Sequence, residues 1–232
     1  MRARSGDGLV VAIDGPSGSG KSSVSRGVAQ RLGLAYLDTG AMYRAVTWWC
    51  LQRDIDLAQQ GAVADAAQTI DLRVGTDPAA PTVHVGETDV AAFIRERDIS
   101  AVVSAVATNL GVRAELQRRQ RELITELEVP GVVAEGRDIT TVVAPDADVR
   151  VLLTADEDAR VRRRSAQDQV GEDQAEATRD QVLRRDRDDS TVSQFLSAAD
   201  GVVTIDSSEL DLEQTVQAVL DVVRAEVGEV TP

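Results

Sequence analysis

Short apolar runs alternate with amphipathic segments along most of the chain. The runs Leu9 to Ile13, Val132 to Ala134 and Val149 to Leu153 predict buried strands. The segments Lys21 to Leu32 and Asp211 to Val227 have the apolar spacing of helices that cover a core. Strands that alternate with helices indicate a parallel sheet with helices on both faces. The pattern therefore predicts an α/β protein with a central parallel sheet in three layers.

Two stretches depart from this alternation. Between residues 62 and 100, β-like runs at Leu72 to Val74 and Thr82 to Val85 are separated by Gly and Pro, which predicts a small antiparallel insertion. Between residues 156 and 189, arginines and acids outnumber apolar residues, which indicates an exposed, mobile pair of helices. We therefore predict a core of residues 1–61 and 101–232, interrupted by an insertion of residues 62–100.

The composition of the chain argues against several functional classes. The formal net charge of −14 argues against nucleic acid as the main partner, because proteins that wrap DNA or RNA usually carry the opposite charge. With one cysteine, Cys50, and one histidine, His84, the chain cannot assemble a zinc site of the usual kind. No apolar run reaches the length of a signal peptide or a membrane span. We therefore expect a cytoplasmic protein with no membrane partner.

One motif carries a specific chemistry. The segment Gly15-x-x-x-x-Gly20-Lys21-Ser22 matches the P-loop pattern and lies between a predicted strand and a predicted helix. Its glycines let several backbone N–H groups converge on an anion, and the helix N-terminus adds a partial positive charge. Lys21 is the only lysine, and the other 24 basic residues are arginines. We expect Lys21 to contact the outer phosphates of a nucleotide and Ser22 to ligate Mg²⁺.

The absence of further lysines excludes one large class of P-loop protein. Guanine selection in GTPase switches usually depends on an Asn-Lys-x-Asp motif, which cannot occur here because Lys21 is the sole lysine. Large motor ATPases need more chain than 232 residues. Arg44 and Arg137 follow predicted strands, and ligands of open α/β sheets lie beyond the strand ends. Several arginines near one P-loop indicate two phosphorylated ligands.

The remaining hypotheses differ in the molecule that accepts the phosphoryl group. An acceptor phosphate needs no general base, because its second pKa of about 6 leaves it anionic at neutral pH. An acceptor hydroxyl, as in a kinase for a small organic acid or sugar, would need a carboxylate, and Asp38 and Asp138 are candidates. A regulatory protein that binds ATP without fast transfer is a third possibility. Non-enzymatic RNA binding is disfavoured by the net charge.

Five stretches carry a family resemblance. "IDGPSGSGKSS", "LDTGAMYRA", "VRAELQRRQR", "AEGRDITTVVAPDADV" and "RRDRDDST" resemble the bacterial cytidylate kinases in order and spacing, from about Val10 to the final helix. The resemblance implies a P-loop kinase core, a monophosphate-binding insertion at residues 62–100 and a helical lid at about residues 156–189. It also implies the reaction of ATP with CMP to give ADP and CDP with Mg²⁺, with dCMP as a second acceptor. We expect a monomer.

The resemblance implies a role for each residue that matches a family motif. The residues expected to bind ATP are Gly15, Pro16, Ser17, Gly18, Ser19, Gly20, Lys21, Ser22 and Ser23, with Ser22 also on the metal. The residues expected to bind the monophosphate are Thr39, Tyr43, Arg44, Ser104, Arg113, Arg137, Asp138, Arg185 and Asp189. The residues expected to act on the transferring group are Lys21, Arg137, Arg163 and Arg164.

One segment departs from the family pattern. After the motif "DDST" the family usually continues with an arginine, two small or apolar residues and then Ser-Pro-Leu. Here the sequence reads "DDSTVSQFL", which lacks the arginine and is one residue shorter. A ligand-contacting arginine is therefore missing. We expect weaker contacts to the sugar or phosphate of the acceptor unless Arg187 substitutes for it.

Overall fold

The computed structural model describes residues 8–127, 130–168 and 175–228. The strands within these ranges are β1 Leu9–Asp14, β2 Ala35–Asp38, β3 Leu72–Val74, β4 Val83–Val85, β5 Thr88–Asp89, β6 Gly131–Gly136, β7 Val149–Thr154 and β8 Val203–Asp206. The α-helices are α1 Lys21–Leu32, α2 Thr39–Gln52, α3 Gln60–Thr69, α4 Arg97–Ala107, α5 Leu110–Glu126, α6 Glu157–Asp168, α7 Ala175–Asp189 and α8 Leu212–Val227. A 3₁₀ turn covers Phe93–Arg95, and a π-helical turn covers Ile139–Val143.

The central sheet is parallel and has the strand order β2-β6-β1-β7-β8. Strand β6 is buried along its whole length, as expected for an apolar strand covered on both faces. One face packs on α1 and α8 through an apolar cluster that includes Val28 and Val219. The other face packs on the π-helical turn and on α5, with Leu37 and Ile139 at its centre. The predicted three-layer α/β fold is confirmed.

A buried carboxylate at the end of β1 fixes the turn that follows β6. Asp14 is 1% exposed and accepts hydrogen bonds from the backbone N–H groups of Ile139 and Thr140 at 3.0 and 2.8 Å. The Thr140 hydroxyl donates to the same carboxylate at 2.7 Å. These bonds join the loop after β1 to the loop after β6. The two loops contain the P-loop and Arg137, so Asp14 holds their relative position.

The predicted antiparallel insertion contains a real sheet, but its ends are helical. Strands β3, β4 and β5 form a three-stranded antiparallel sheet, as expected. Residues 62–69 lie instead in α3, and residues 97–100 lie in α4, which corrects the predicted β character of those parts. Helix α3 forms because Val63, Ala66 and Ala67 recur at helical spacing and are buried against the core. The sheet packs with α2 to α5 around a separate apolar cluster.

The insertion is attached to the core next to the P-loop helix. The backbone N–H of Tyr36 in edge strand β2 donates to the Thr76 carbonyl at 2.8 Å. From α1, the Arg26 Nε and the Gln30 Nε2 both donate to the Pro78 carbonyl, at 3.0 and 3.3 Å. These bonds place the loop between β3 and β4 against the middle and the C-terminal part of α1. The insertion therefore closes one side of the cavity above the P-loop.

The inner faces of α6 and α7 are buried, which corrects the prediction that this pair is exposed. Arg160, Arg164, Val182 and Asp186 are each at most 8% exposed. They are buried because the two helices pack on each other and α7 packs on α4. Arginine and aspartate side chains can be buried when they pair with each other. Low apolar content was therefore a poor guide to exposure here.

In the described part of the chain, no single helix combines the length and the apolar character needed to cross a membrane. Helices α4 and α5, which meet at a bend of 98°, reach that length and composition only when they are counted together.

We expect Asp14→Ala to lower the free energy of unfolding by roughly 2–4 kcal/mol, because three buried donors lose their acceptor. Equilibrium denaturation in urea measures the change. Asp148→Ala is the control, because Asp148 is exposed and accepts one bond, from the Val10 backbone N–H at 2.9 Å. Equal losses in the two variants would contradict a special role for Asp14.

Candidate active site

The predicted site residues converge on one large cavity of about 790 Å³ at the carboxyl ends of the central strands. Those that line it are Ser17, Gly18, Ser19, Gly20, Lys21, Ser22, Ser23, Thr39, Tyr43, Arg44, Arg113, Arg137, Asp138, Arg163, Arg164, Arg185 and Asp189. Gly15, Pro16 and Ser104 do not line it. Ser104 lies on a smaller groove between α4 and α7, and its hydroxyl donates to Asp189 at 3.4 Å. The structure thus assembles residues from distant parts of the chain.

The P-loop has the backbone geometry of an anion site. Gly20 precedes α1 with a φ of 91°, a left-handed conformation that favours glycine, and no side chain caps the first turn. The N–H groups of that turn therefore remain available for an anion. A Cβ on Gly15 would lie 2.2 Å from the Leu153 carbonyl oxygen, so the loop can pass this close to β7 only with glycine at that position.

The Lys21 ammonium bends back over the P-loop and donates to the Pro16 carbonyl at 3.1 Å. Burial, followed by the nearby Arg137 guanidinium, lowers the pKa of Lys21 below its usual value. Burial therefore makes the charged form of Lys21 costly, and the nearby Glu135 carboxylate offsets only part of that cost. A phosphate group at this position would place further negative charge beside the ammonium and favour its charged form.

A buried carboxylate that the sequence analysis did not single out lies beside Ser22. Glu135, at the end of β6, is 2% exposed and accepts a hydrogen bond from the Tyr36 hydroxyl at 2.8 Å. It also forms a side-chain hydrogen bond with Ser22. Burial, followed by repulsion from Asp38, raises the pKa of Glu135. The signal in the sequence is an acid at the end of a buried strand, in "AEGRD".

The side of the cavity opposite the P-loop contains two guanidinium groups close together. Arg44 Nη1 donates to the Ser100 hydroxyl at 3.1 Å and to the Ile94 carbonyl at 3.3 Å. Arg164 Nη2 donates to the same Ser100 hydroxyl at 3.5 Å. Burial lowers the pKa of Arg44, and the Arg164 charge lowers it further. Two cations on one hydroxyl form a strong site for an anion.

The two carboxylates considered as general bases, Asp38 and Asp138, are both engaged in hydrogen bonds and ion pairs. Asp138 pairs with Arg113 at 2.5 Å and accepts from Gln117 Nε2 at 2.6 Å. Asp38 caps α2 by accepting from the Ala41 backbone N–H at 2.9 Å. Its second oxygen lies 3.4 Å from Arg95. Both carboxylates line the cavity, but each is already paired with an arginine and with a further hydrogen-bond donor.

Thr39 and Tyr43 lie next to these charged groups at the start of α2. The Thr39 hydroxyl donates to the Glu135 carbonyl at 2.7 Å, which ties α2 to β6. The Tyr43 hydroxyl is buried next to the Gln120 side chain, and Tyr43 lines the cavity. Burial raises the pKa of Tyr43, so the hydroxyl is neutral and can donate a hydrogen bond to a polar ligand.

Arg137 is held on several sides. Its Nη1 donates to the Gly15 carbonyl at 3.2 Å and lies 3.3 Å from Asp186. Its Nε lies 2.6 Å from Asp189. The guanidinium carbon is 4.4 Å from the centre of the Phe195 ring. These contacts aim the Arg137 side chain along the edge of the P-loop.

The two lid arginines lie on different walls of the cavity. Arg164 is on the same side as Arg44, as described above. Arg163 donates to the Ser19 carbonyl at 3.2 Å and to the Ser207 and Leu210 carbonyls at 2.6 and 3.1 Å. It therefore links the P-loop to the loop between β8 and α8. Sequence reasoning grouped the two arginines, and this structure separates them.

The arginine proposed as a substitute for the missing family arginine is not at the site. Arg187 is exposed on α7 and does not line the cavity, whereas Arg185, two residues earlier, does. Arg185 lies 3.7 Å from Asp189. Burial lowers the pKa of Arg185, and the neighbouring Arg44 and Arg137 lower it further. The expectation for Arg187 is therefore wrong.

Asp186 connects the lid helices to the P-loop, and sequence reasoning missed it as well. It is 5% exposed, accepts from the Ser17 backbone N–H at 2.9 Å and pairs with both Arg160 and Arg137. Its partners come from the P-loop, α6 and the loop after β6. No local pattern marks it, because Ser17 is 169 residues away in sequence.

The comparisons with known proteins identify one family. A sequence model of that family, described as cytidylate kinase, matches residues 11–225. A cytidylate kinase from Streptomyces avermitilis is 47% identical over 222 residues, which is 95% of this chain and 95% of that protein. A cytidylate kinase from Cutibacterium acnes is 50% identical over 218 residues, which is 93% of this chain and 96% of that protein. A cytidylate kinase from Rhodococcus jostii is 48% identical over 224 residues.

We expect Asp186→Ala to release α6 and α7 from the P-loop, because the Ser17 N–H, Arg160 and Arg137 lose their shared acceptor. Hydrogen exchange of the Ser17 amide should accelerate by about 10-fold or more, since its protection depends on this bond. Asp188→Ala is the matched control on the same helix. Unchanged exchange at Ser17 in Asp186→Ala would contradict the link.

Proposed function

Because this chain belongs to the cytidylate kinase family, we propose that it transfers the γ-phosphoryl group of ATP to CMP and gives ADP and CDP. We propose dCMP as a second acceptor. The observation that carries the proposal is the second cationic group of the cavity, Arg44 and Arg164 on Ser100, opposite the P-loop. Lys21 and the P-loop can hold one triphosphate, so the second group is suited to another phosphorylated ligand.

The acceptor phosphate fits the site better than a hydroxyl does. Its oxygen is anionic at neutral pH, so it needs positioning and charge neutralisation but no proton abstraction. Asp38 and Asp138, the two candidate bases, are engaged with Arg95, Arg113 and the first turn of α2. The hydroxyl-acceptor kinase and the regulatory ATP-binding protein are therefore not favoured.

We propose that the ATP phosphates lie on the P-loop, residues 15–23, with Lys21 on the outer phosphates. The residues proposed to hold the acceptor nucleotide are Thr39, Tyr43, Arg44, Arg113, Arg137, Asp138, Arg185 and Asp189, with Ser104 supporting Asp189. Arg137 lies at the edge of the P-loop and Arg44 lies farther along the same cavity, which supports an arrangement in which the two phosphate chains meet end to end. In-line attack of the CMP phosphate oxygen on the γ-phosphorus then needs no rearrangement of either nucleotide.

Ser22 and Glu135 have the oxygen donors that suit Mg²⁺, and they adjoin each other at the P-loop. When bound there with ATP, Mg²⁺ neutralises charge on the outer phosphates. Tyr36 donates to Glu135 and keeps its carboxylate oriented. We therefore propose Ser22 as a direct ligand of Mg²⁺ and Glu135 as a carboxylate that would orient the other ligands of the metal.

Charge that develops during transfer would be stabilised by Lys21, Arg137 and Arg164, which line the cavity from three different elements. The loss of one such cation typically costs several kcal/mol of transition-state stabilisation. Arg163 would act from the wall next to the P-loop. We propose that α6 and α7, within residues 156–189, close over the site as a lid and exclude water, which limits wasteful hydrolysis of ATP.

We propose that residues 62–100 form the unit that closes over the acceptor, since their β3–β4 loop borders the cavity. We also propose a monomer that acts in the cytoplasm without a nucleic-acid or membrane partner. The net charge of −14 argues against a nucleic-acid partner, because negative charge on the surface away from the cavity disfavours the binding of polyanions.

The test is ADP formation with CMP, dCMP, UMP, AMP, GMP and shikimate offered separately. We expect CMP and dCMP to give the largest stimulation. We expect Arg44→Ala to lower kcat/KM for CMP by about 100-fold or more, because a buried phosphate contact is lost. Asp38→Asn, which keeps the cap on α2 but cannot act as a base, should lower it by less than about 10-fold.

Arg118→Ala is the control for removal of an arginine, because Arg118 is exposed on α5 and pairs with Glu115 and Glu122. Stimulation by shikimate alone, together with a larger loss in Asp38→Asn than in Arg44→Ala, would overturn the assignment in favour of a hydroxyl acceptor. Tight ATP binding with no acceptor-dependent ADP formation would favour the regulatory protein.

A further inference from the structure

The segment after Thr191 places a buried aromatic ring against Arg137, one of the residues that line the cavity. Phe195 is 1% exposed, whereas the next residue, Leu196, is 61% exposed. The guanidinium carbon of Arg137 lies over this buried ring, 4.4 Å from its centre.

Phe195 and the polar partners of Arg137 contact different parts of the guanidinium. The Gly15 carbonyl, Asp186 and Asp189 meet its nitrogens at 3.2, 3.3 and 2.6 Å. Phe195 covers its face. A planar guanidinium held at its edges can still tilt about those bonds, and a ring against its face prevents that tilt. The Arg137 side chain is only 13% exposed, so the attraction between cation and ring is little weakened by water.

We propose that Phe195 is a positioning residue for Arg137. The inference rests on the proposed function, in which Arg137 contacts the phosphates. Phe195 adds no charge to the site and fixes the orientation of the cation already present. Catalysis by this chain therefore depends on the Arg137–Phe195 contact.

The aromatic character of residue 195 is tested by replacing Phe195 with phenylalanines that carry one, two and three ring fluorines. Fluorination weakens the negative face of the ring and changes its volume little, so a purely structural role would be unaffected. We expect kcat/KM for CMP to fall stepwise, by about 10-fold at three fluorines, mainly through kcat. The KM for ATP should stay within about twofold, because the P-loop is unchanged.

Phe195→Leu is the corresponding genetic variant, and we expect it to lower kcat for CMP by about 10-fold or more. Phe195→Tyr, which keeps the ring face, should retain most of the activity. Leu196→Ala is the control in the same segment, because its side chain is exposed. Thermal unfolding of each variant separates loss of fold from loss of positioning.

The proposal is overturned if the fluorinated series keeps kcat/KM for CMP within about twofold of the unmodified protein. It is also overturned if Phe195→Tyr and Phe195→Leu lose activity equally while remaining folded. Both results presuppose that the unmodified protein forms ADP in response to CMP. If it does not, the proposed function itself has failed, and the two failures are thereby distinguished.

Discussion

Cationic side chains concentrated around one cavity are the constraint on which the rest of the structure depends. Lys21, Arg44 and Arg185 each have a lowered pKa because of burial and of neighbouring guanidinium groups, and Arg137 acts on all three. In a chain of net charge −14, these groups are kept close together by the fold and not by a general excess of basic residues. Such an arrangement is costly without a ligand and is relieved by phosphate, so the cavity selects phosphorylated molecules.

The fold brings these cations together by supplying each from a different element at the carboxyl ends of the strands. The elements are α1 for Lys21, α2 for Arg44, α5 for Arg113, the loop after β6 for Arg137, α6 for Arg164 and α7 for Arg185. Buried carboxylates hold these elements in fixed positions relative to one another. Asp14 fixes the loop after β6, Asp138 orients Arg113, and Asp186 joins α6 and α7 to the P-loop. The acids position the cations without neutralising the whole cavity.

The sequence predicted features that depend on local pattern. The P-loop, the bounds of α1 and the core strands follow from spacing and glycine placement, and the observed α1 begins and ends at the predicted residues. Glu135, Asp186 and Phe195 were missed, because their significance lies in contacts with residues far away in the chain. Helix α3 was missed because Gly and Pro in the neighbouring residues suggested strands. The buried faces of α6 and α7 were missed because ion pairs took the place of apolar residues.

The most direct test of the central claim uses adenosine and cytidine joined by a phosphate bridge of variable length. We expect a five-phosphate bridge to occupy the P-loop and the Arg44 side of the cavity together, and a three-phosphate bridge to reach only one of them. Calorimetry should show binding at least about 100-fold tighter for the longer bridge, and Arg44→Ala should remove most of that difference. Equal affinities for the two bridges in the unmodified protein would contradict the claim that the cavity holds two phosphorylated nucleotides end to end.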